Sequence, residues 1–196
     1  MRDKCNKVQT NGLAQKLIKR SKSIEFFGDR ATKKVYYLKE GQTYSFNDLD
    51  PAHFCTMHNA LMRTKSTKII INRIAPGDIK RQVELFTYYY YGALDGDPDI
   101  KNGELQPHEN FRHERECLSL QFTCKKLRID NQALTPREVQ IIDLIYQDYP
   151  DKHIRAELGI AQATLTTLKG KLFRKAKVAS KVGLIRKAVE QQIPMV

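Results

Sequence analysis

Hydrophobic and polar residues in the first part of the chain predict a mixture of short strands and helices. Apolar residues recur at helical spacing within residues 12–24, among several lysines, and predict a basic amphipathic helix. Residues 34–38 and 42–46 are rich in β-forming side chains and flank the turn-like pair Glu40-Gly41. These two runs therefore predict a small hairpin.

The pattern continues with helices and one further strand. Asp50-Pro51 is a helix-start signal that predicts a helix through Met62, and residues 78–91 return to helical spacing. Between them, residues 67–74 form a β-branched run that predicts a buried strand. We therefore expect an α+β domain over residues 1–130, with a regulatory or interaction role.

The last third of the chain, residues 131–196, begins with a complete helix-start signal. Thr135 can cap free backbone N–H groups, Pro136 lies where no donor is needed, and Glu138 can close a capping box. The residue before a proline avoids the helical region, so this helix should end before Tyr149-Pro150.

Two more helices follow at short intervals. Asp151 is expected to cap a helix over residues 152–158, and Gly159 to supply the turn after it. A third helix, predicted over residues 162–175, has its buried stripe at Leu165, Leu168, Leu172 and Ala176. This order of helices and turn is typical of a helix-turn-helix, so the whole protein is predicted to be mainly α.

The opposite face of the third helix has small residues in its middle and cations at its edges. Such a surface suits the major groove, because small groups approach base edges while long cations reach phosphates. Gly170 lowers helix stability by about 1 kcal/mol relative to alanine, which favours a close backbone approach there. With neighbouring residues, the predicted DNA contacts are Lys152, Gln162, Ala163, Thr164, Thr166, Thr167, Gly170, Lys171, Arg174, Lys175 and Lys177.

Charge and cysteine content favour the same class of protein. The formal net charge is +12, and residues 164–189 contain eight basic residues and no acidic one, which indicates a polyanionic partner. Four scattered cysteines do not make a disulfide framework, and no apolar run is long enough for a signal peptide or a membrane span. We therefore expect a cytoplasmic protein that binds double-stranded DNA and no membrane.

Three groups of residues raise other kinds of chemistry. Asp95, Asp97 and Asp99 alternate like early calcium ligands, but the later loop positions lack the required glycine and glutamate, so an acidic turn is the better interpretation. Four successive tyrosines, residues 88–91, point in different directions on a helix, which favours packing over base stacking. The spacing of His108, His113, Cys117 and Cys124 does not match a usual zinc site, and we expect no metal, cofactor or catalytic residue.

Several short motifs in residues 134–191 carry a family resemblance. In order they are Leu-Thr-Pro-Arg-Glu at 134–138, Lys152 and Ile154, Glu-Leu-Gly-Ile at 157–160, Ala163-Thr164, Lys175, and Val178 with Ser180. The segment resembles the LuxR-type (GerE-like) four-helix DNA-binding domain. The resemblance implies that the helix beginning near Gln162 is the recognition helix, and that a last helix over residues 181–191 forms a homodimer through Ile185, Ala188 and Val189.

The segment also departs from the family pattern. Ala161 stands where the family usually has a serine that caps the helix. Thr166 stands where a basic recognition residue is common, and Leu168 where a histidine is frequent. Base preference therefore cannot be transferred from the family. We expect a sequence-specific transcriptional regulator, with RNA polymerase as a further partner.

Two alternative functions remain open. One is a sigma-factor-like or polymerase-associated adaptor that contacts promoter DNA only within a larger complex. The other is a nuclease or integrase-like enzyme that holds a divalent metal at the Asp95 turn. The sequence shows no nucleophile, acid/base pair or phosphate loop in support of the enzyme.

Overall fold

A computed structural model describes residues 23–109, 112–191 and 193–196. The chain divides between residues 109 and 110 into two units, which are described separately. This division precedes the one expected near residue 130, because residues such as Leu127 and Ile129 pack in the C-terminal core. The predicted helix over residues 12–24 lies outside the described residues except at its end, where Ile24 begins a strand.

An antiparallel sheet forms one layer of the N-terminal unit. Its described strands are ordered β3-β2-β1-β4-β5. The predicted hairpin is confirmed, since Lys39 pairs with Gln42 across a two-residue turn at Glu40-Gly41, where both residues have positive φ. The strands are β1 (Ile24–Gly28), β2 (Val35–Lys39), β3 (Gln42–Ser45), β4 (Ile100–Lys101) and β5 (Glu104–Leu105).

Three helices pack with one another, and the third also packs against β1 and β2: α1 (Pro51–Arg63), α2 (Lys65–Ile74) and α3 (Ile79–Tyr91). The predicted helix starts are confirmed, because the Asp50 carboxylate accepts from the His53 N–H (3.1 Å) and that of Asp78 from the Arg81 N–H (2.9 Å).

The strand predicted at residues 67–74 is wrong, because the segment is the helix α2. Its fully buried residues, Thr67 and Ile71, are four positions apart, as on one face of a helix. Ile69 and Ile74 are more than half exposed, so the run of isoleucines is not a continuous buried stretch.

The four tyrosines of α3 are buried in the unit, which confirms packing as their role. The Tyr90 hydroxyl lies 2.7 Å from the Thr67 hydroxyl of α2. The Tyr88 ring lies so close to β1 that a Cβ added at Gly28 would be 2.3 Å from the ring. Glycine at residue 28 therefore lets α3 pack directly against the strand.

Buried carboxyl groups connect β1 to residues 93–109. Asp99 accepts from the Phe26 N–H (2.7 Å), and Glu25 accepts from the Gly96 N–H (2.7 Å). Burial raises the pKa of Glu25 to about 7. Burial, with the nearby carboxylate of Glu109, raises the pKa of Asp99 to about 10. These acids keep their protons in the folded protein at pH values where ordinary carboxyls are ionised.

The C-terminal unit consists of a small hairpin and helices around one apolar core. In the described residues these elements are β6 (Arg128–Ile129), β7 (Gln132–Ala133), α4 (Pro136–Tyr146), α5 (Asp151–Leu158), α6 (Gln162–Ala176) and α7 (Lys181–Glu190). Residues 138–145 of α4 are all buried, so α4 is the central helix of the unit. None of the described helices is long and apolar enough to cross a membrane.

A buried ion pair ties three separate segments of this unit together. The Arg112 guanidinium donates to both carboxylate oxygens of Asp143 on α4, at 2.7 and 2.5 Å. It also donates to the Pro194 carbonyl (2.6 Å), while the Val196 N–H donates to Asp143 (3.3 Å). Arg112 and Asp143 are almost completely buried.

Glu25 gives the N-terminal unit a stability that falls as pH rises. Its pKa is about 7 in the folded state against 4.5 as the ordinary value, so its contribution is full below about pH 4.5 and lost as pH rises through 7. Glu25→Gln keeps an acceptor for the Gly96 N–H but cannot ionise. The unfolding free energy of the wild type should therefore fall on going from pH 5 to pH 8. In the variant this fall should be smaller by about 2 kcal/mol.

Urea unfolding followed by tyrosine near-ultraviolet circular dichroism measures this difference. Glu104→Gln, which removes an exposed carboxylate of β5, is the control and should behave as the wild type. Equal pH dependence in the wild type and Glu25→Gln would show that Glu25 titrates as an ordinary carboxyl.

Candidate nucleic-acid interface

The first helix of the interface region, α4, begins with the predicted capping box. The Glu138 N–H donates to the Thr135 hydroxyl (3.2 Å), and the Thr135 N–H donates to the Glu138 carboxylate (2.8 Å). Pro136 occupies the first turn. The helix ends at Tyr146, before Tyr149-Pro150, as the sequence predicts.

The turn between α5 and α6 is made by Gly159, which has the left-handed conformation (φ 61°, ψ 39°) that glycine adopts easily. The predicted cap of α5 needs correction. Asp151 is the first helical residue, and the preceding Pro150 occupies the cap position. The Asp151 carboxylate instead accepts from Lys169 of α6 (2.8 Å) and Lys181 of α7 (3.0 Å), so it joins three helices.

One face of α6 is fixed to the core of the unit. Leu165, Leu172 and Ala176 are fully buried, and Leu168 packs partly against the same cluster. The buried stripe is therefore the one predicted from spacing. Ala161 stands at the cap position and makes no side-chain cap bond, so the departure from the family's serine leaves the start of α6 without that bond.

The other face of α6 is open to solvent. Within the part of the chain that the structure describes, the Thr166 and Thr167 hydroxyls bond to α6 alone, with the backbone oxygens of Gln162 (3.0 Å) and Ala163 (2.9 Å) accepting from them. Apart from the adjoining residues and the backbone of α6 itself, a Cβ added at Gly170 would meet no described atom within 4 Å. The exposed or half-buried members of this face are Gln162, Ala163, Thr164, Thr166, Thr167, Gly170, Lys171 and Arg174.

The predicted cations differ in how the fold uses them. Lys171, Arg174 and Lys152 are exposed and make no ion pair with any described residue. Lys175 is bound by the Glu138 carboxylate (2.7 Å) and the Ala133 carbonyl (3.0 Å). Lys177 ends α6 in the left-handed conformation and pairs with Asp130 (2.8 Å), although its side chain is 72% exposed. Lys171, Arg174 and Lys152 are thus the cations most available to a ligand.

Family comparison matches residues 132–188 to GerE, bacterial regulatory proteins of the luxR family. This segment is a LuxR-type helix-turn-helix domain. It spans β7 to α7 and contains the open face of α6. A domain of this family supports a role in DNA binding and regulation in general terms. Searches of curated proteins and of solved structures gave no match.

The residues of α7 that were expected to form a dimer differ in how far they are exposed to solvent. Ala188 is fully buried in the core of its own unit, so it cannot reach a partner. Ile185 packs partly against that core, whereas Val189 is 56% exposed. Val182, which the sequence analysis did not select, is 79% exposed and seven positions from Val189, on the same side of α7.

Among the side chains that the structure describes, the candidate metal ligands do not form one group. No set of three or more His, Cys, Asp or Glu side chains within the described residues has the arrangement of a metal site. The His113 ring nitrogen lies 3.4 Å from the Cys117 sulfur, and the His108 ring packs edge-on against Tyr90. At the other candidate, Asp95 accepts from the Asp97 N–H (2.9 Å) in an acidic turn.

Two neighbouring lysines of α6 should differ in their effect on folding. Lys175→Ala removes a partner from Glu138, which is only 3% exposed, and should lower the unfolding free energy by about 1–2 kcal/mol. Lys171→Ala removes an exposed cation with no described partner and should change it by less than about 0.5 kcal/mol.

Urea unfolding with hydrogen exchange of the α4 amides measures both changes in the intact protein. The two variants lose the same charge, so each controls for the other. Equal stability of the two would contradict a structural role for Lys175.

Proposed function

We propose that this protein is a sequence-specific transcriptional regulator that places α6 in the major groove of double-stranded DNA. The four helices α4 to α7 constitute its DNA-binding module. The observation that carries the proposal is the open face of α6 in a LuxR-type domain. This face presents small residues and two cations, Lys171 and Arg174, that form no ion pair with any described residue.

The dimensions and chemistry of this face fit the groove. A major groove about 12 Å wide admits an α-helix, and small side chains allow the helix backbone to approach base edges. Ala163, Thr167 and Gly170 recur at spacings of four and three, which brings them to the same side of α6. The open space at Gly170 gives this side its closest backbone approach.

The polar residues of the interface divide into two roles on this proposal. Gln162, Thr164 and Thr166 lie in the first turns of α6 and supply hydrogen-bonding groups for base edges. The phosphate contacts come from the cations Lys152, Lys171, Arg174 and Lys177. Lys175 acts by holding the domain together, because both Glu138 and Ala133 already occupy its ammonium group.

A dimer on a two-half-site target is part of the proposal. The exposed Val182 and Val189, with the flanking Ile185, form an apolar strip on α7 that a second copy can cover. The N-terminal unit then supplies control or a contact to RNA polymerase.

Selection from pooled random duplexes by the intact protein, followed by sequencing of the bound fraction, tests the proposal. An enriched motif supports a self-sufficient regulator. Salt-sensitive binding without an enriched motif contradicts sequence specificity, and favours an adaptor that reads DNA only within a larger complex.

Arg174 and Lys171 should contribute to affinity through phosphate contacts. Each change to alanine is expected to weaken binding to the selected duplex and to lower the slope of log affinity against log salt by about 1. Fluorescence anisotropy at several salt concentrations measures both quantities. Lys80→Ala removes an exposed cation of the N-terminal unit and is the charge-matched control. Unchanged slopes for Arg174→Ala and Lys171→Ala would remove this face from the interface.

Val189→Asp should separate folding from dimer formation. The side chain is 56% exposed, so a carboxylate there is solvated in the monomer but would be buried in a dimer. We expect a folded protein that sediments as a monomer and binds two-half-site DNA more weakly. Ile69→Asp changes a similarly exposed residue (57%) of the N-terminal unit and should leave sedimentation unchanged. A wild type that is monomeric with and without DNA would contradict the dimer.

A further inference from the structure

An extended, cationic segment, residues 126–129, lies just before the matched LuxR-type segment and ends in β6. In residues 126–129, exposed and buried side chains alternate, with Leu127 and Ile129 in the core and Lys126 and Arg128 facing outward. Because the backbone at Lys126 is extended like that of β6, this alternation places the two cations on the same face of the segment. The family match begins at residue 132, so neither cation belongs to the segment that it covers.

The hairpin that carries this strand is short and well defined. Arg128 pairs with Ala133 and Ile129 with Gln132, leaving Asp130-Asn131 as a two-residue turn. Both turn residues have positive φ (49° and 64°), as in the tight turns that match the twist of a hairpin. One Arg128 nitrogen donates to the Asn131 carbonyl (2.8 Å), which directs the guanidinium along the hairpin.

Contacts fix this hairpin beside α6. Lys175 donates to the Ala133 carbonyl of β7 (3.0 Å), and Lys177 pairs with Asp130 in the turn (2.8 Å). Lys171 and Lys175 are four residues apart and share one side of α6, so the hairpin lies along the side that also presents Lys171.

Further contacts connect the turn to α7 and reduce its negative charge. Lys187 pairs with Asp130 (3.3 Å), and the Asp130 N–H donates to the Gln191 side chain (2.8 Å). With Lys177 also paired to it, the Asp130 carboxylate is balanced by two lysines. A hollow of about 330 Å³ lies between the strand and Gln191, lined in part by Lys126 and Arg128. The surface around it is positive and polar.

We propose that Lys126 and Arg128 form a second contact with the DNA backbone, on phosphates that flank the segment facing α6. This inference rests on the proposed function, because it needs a duplex held by α6. The ligand chemistry is a pair of neighbouring phosphates, which an arginine fork and a lysine bind well. Phosphate contacts of this kind add affinity and fix orientation without changing base preference.

The test uses the intact protein and the duplex selected by the wild type, together with versions shortened by about five base pairs at either end. Lys126→Gln leaves the bond between Arg128 and Asn131 in place. Lys126→Gln with Arg128→Gln removes both cations. Lys101→Gln, which removes an exposed cation from the β4–β5 hairpin of the N-terminal unit, is the matched control.

We expect the double variant to bind the full duplex roughly tenfold more weakly, with a salt slope lower by about 2 and the same selected motif. Lys126→Gln should give about half of the slope change. Removing the flank should weaken the wild type but not the double variant, because the contact is already absent.

Two results would overturn the inference while leaving the proposed function intact. One is a double variant that keeps the wild-type affinity and slope on the selected duplex. The other is an equal loss of affinity by the wild type and the double variant when either end of the duplex is shortened. That result would favour an acidic protein, and not DNA, as the ligand of the hairpin. Failure of the proposed function is recognised separately, because then the wild type selects no motif.

Discussion

The ion pair between Arg112 and Asp143 is the interaction on which the C-terminal unit depends. Asp143 lies in the buried stretch of α4, the helix that contacts α5, α6 and α7. A carboxylate there without a partner would be an uncompensated buried charge, and breaking such a pair costs about 3–5 kcal/mol. Because Arg112 also holds the Pro194 carbonyl, the pair secures the segments on both sides of the helical core. The folding unit of the DNA-binding domain therefore extends back to residue 112, beyond the segment that defines its family.

The sequence predicted correctly those parts of the fold that depend on interactions between residues close together in the chain. The capping box at Thr135, the turn at Gly159 and the stripe through Leu165 and Leu172 each depend on residues a few positions apart, and each is confirmed. The same holds for the hairpin around Glu40-Gly41 in the N-terminal unit.

The features that sequence reasoning missed depend on distant partners. Arg112 and Asp143 are 31 residues apart, and nothing local distinguishes either from a surface charge. Asp151 has the right residue type for a helix cap, but lysines of α6 and α7 compete for its carboxylate. Lys175 fits the basic edge of a recognition helix by spacing, yet Glu138, 37 residues earlier, holds it. The segment predicted as a strand at residues 67–74 failed because β-branched composition outweighed the four-residue spacing of Thr67 and Ile71.

Gly170 lies where a new side chain would meet no neighbour, on the one face of α6 that the core does not use. Replacement of this residue therefore requires no compensating change elsewhere in the domain, and alanine there would even strengthen the helix. On the proposed function, a substitution here changes the surface that α6 offers to DNA and leaves the side that packs in the core untouched, so the target could change in a single step without loss of the fold.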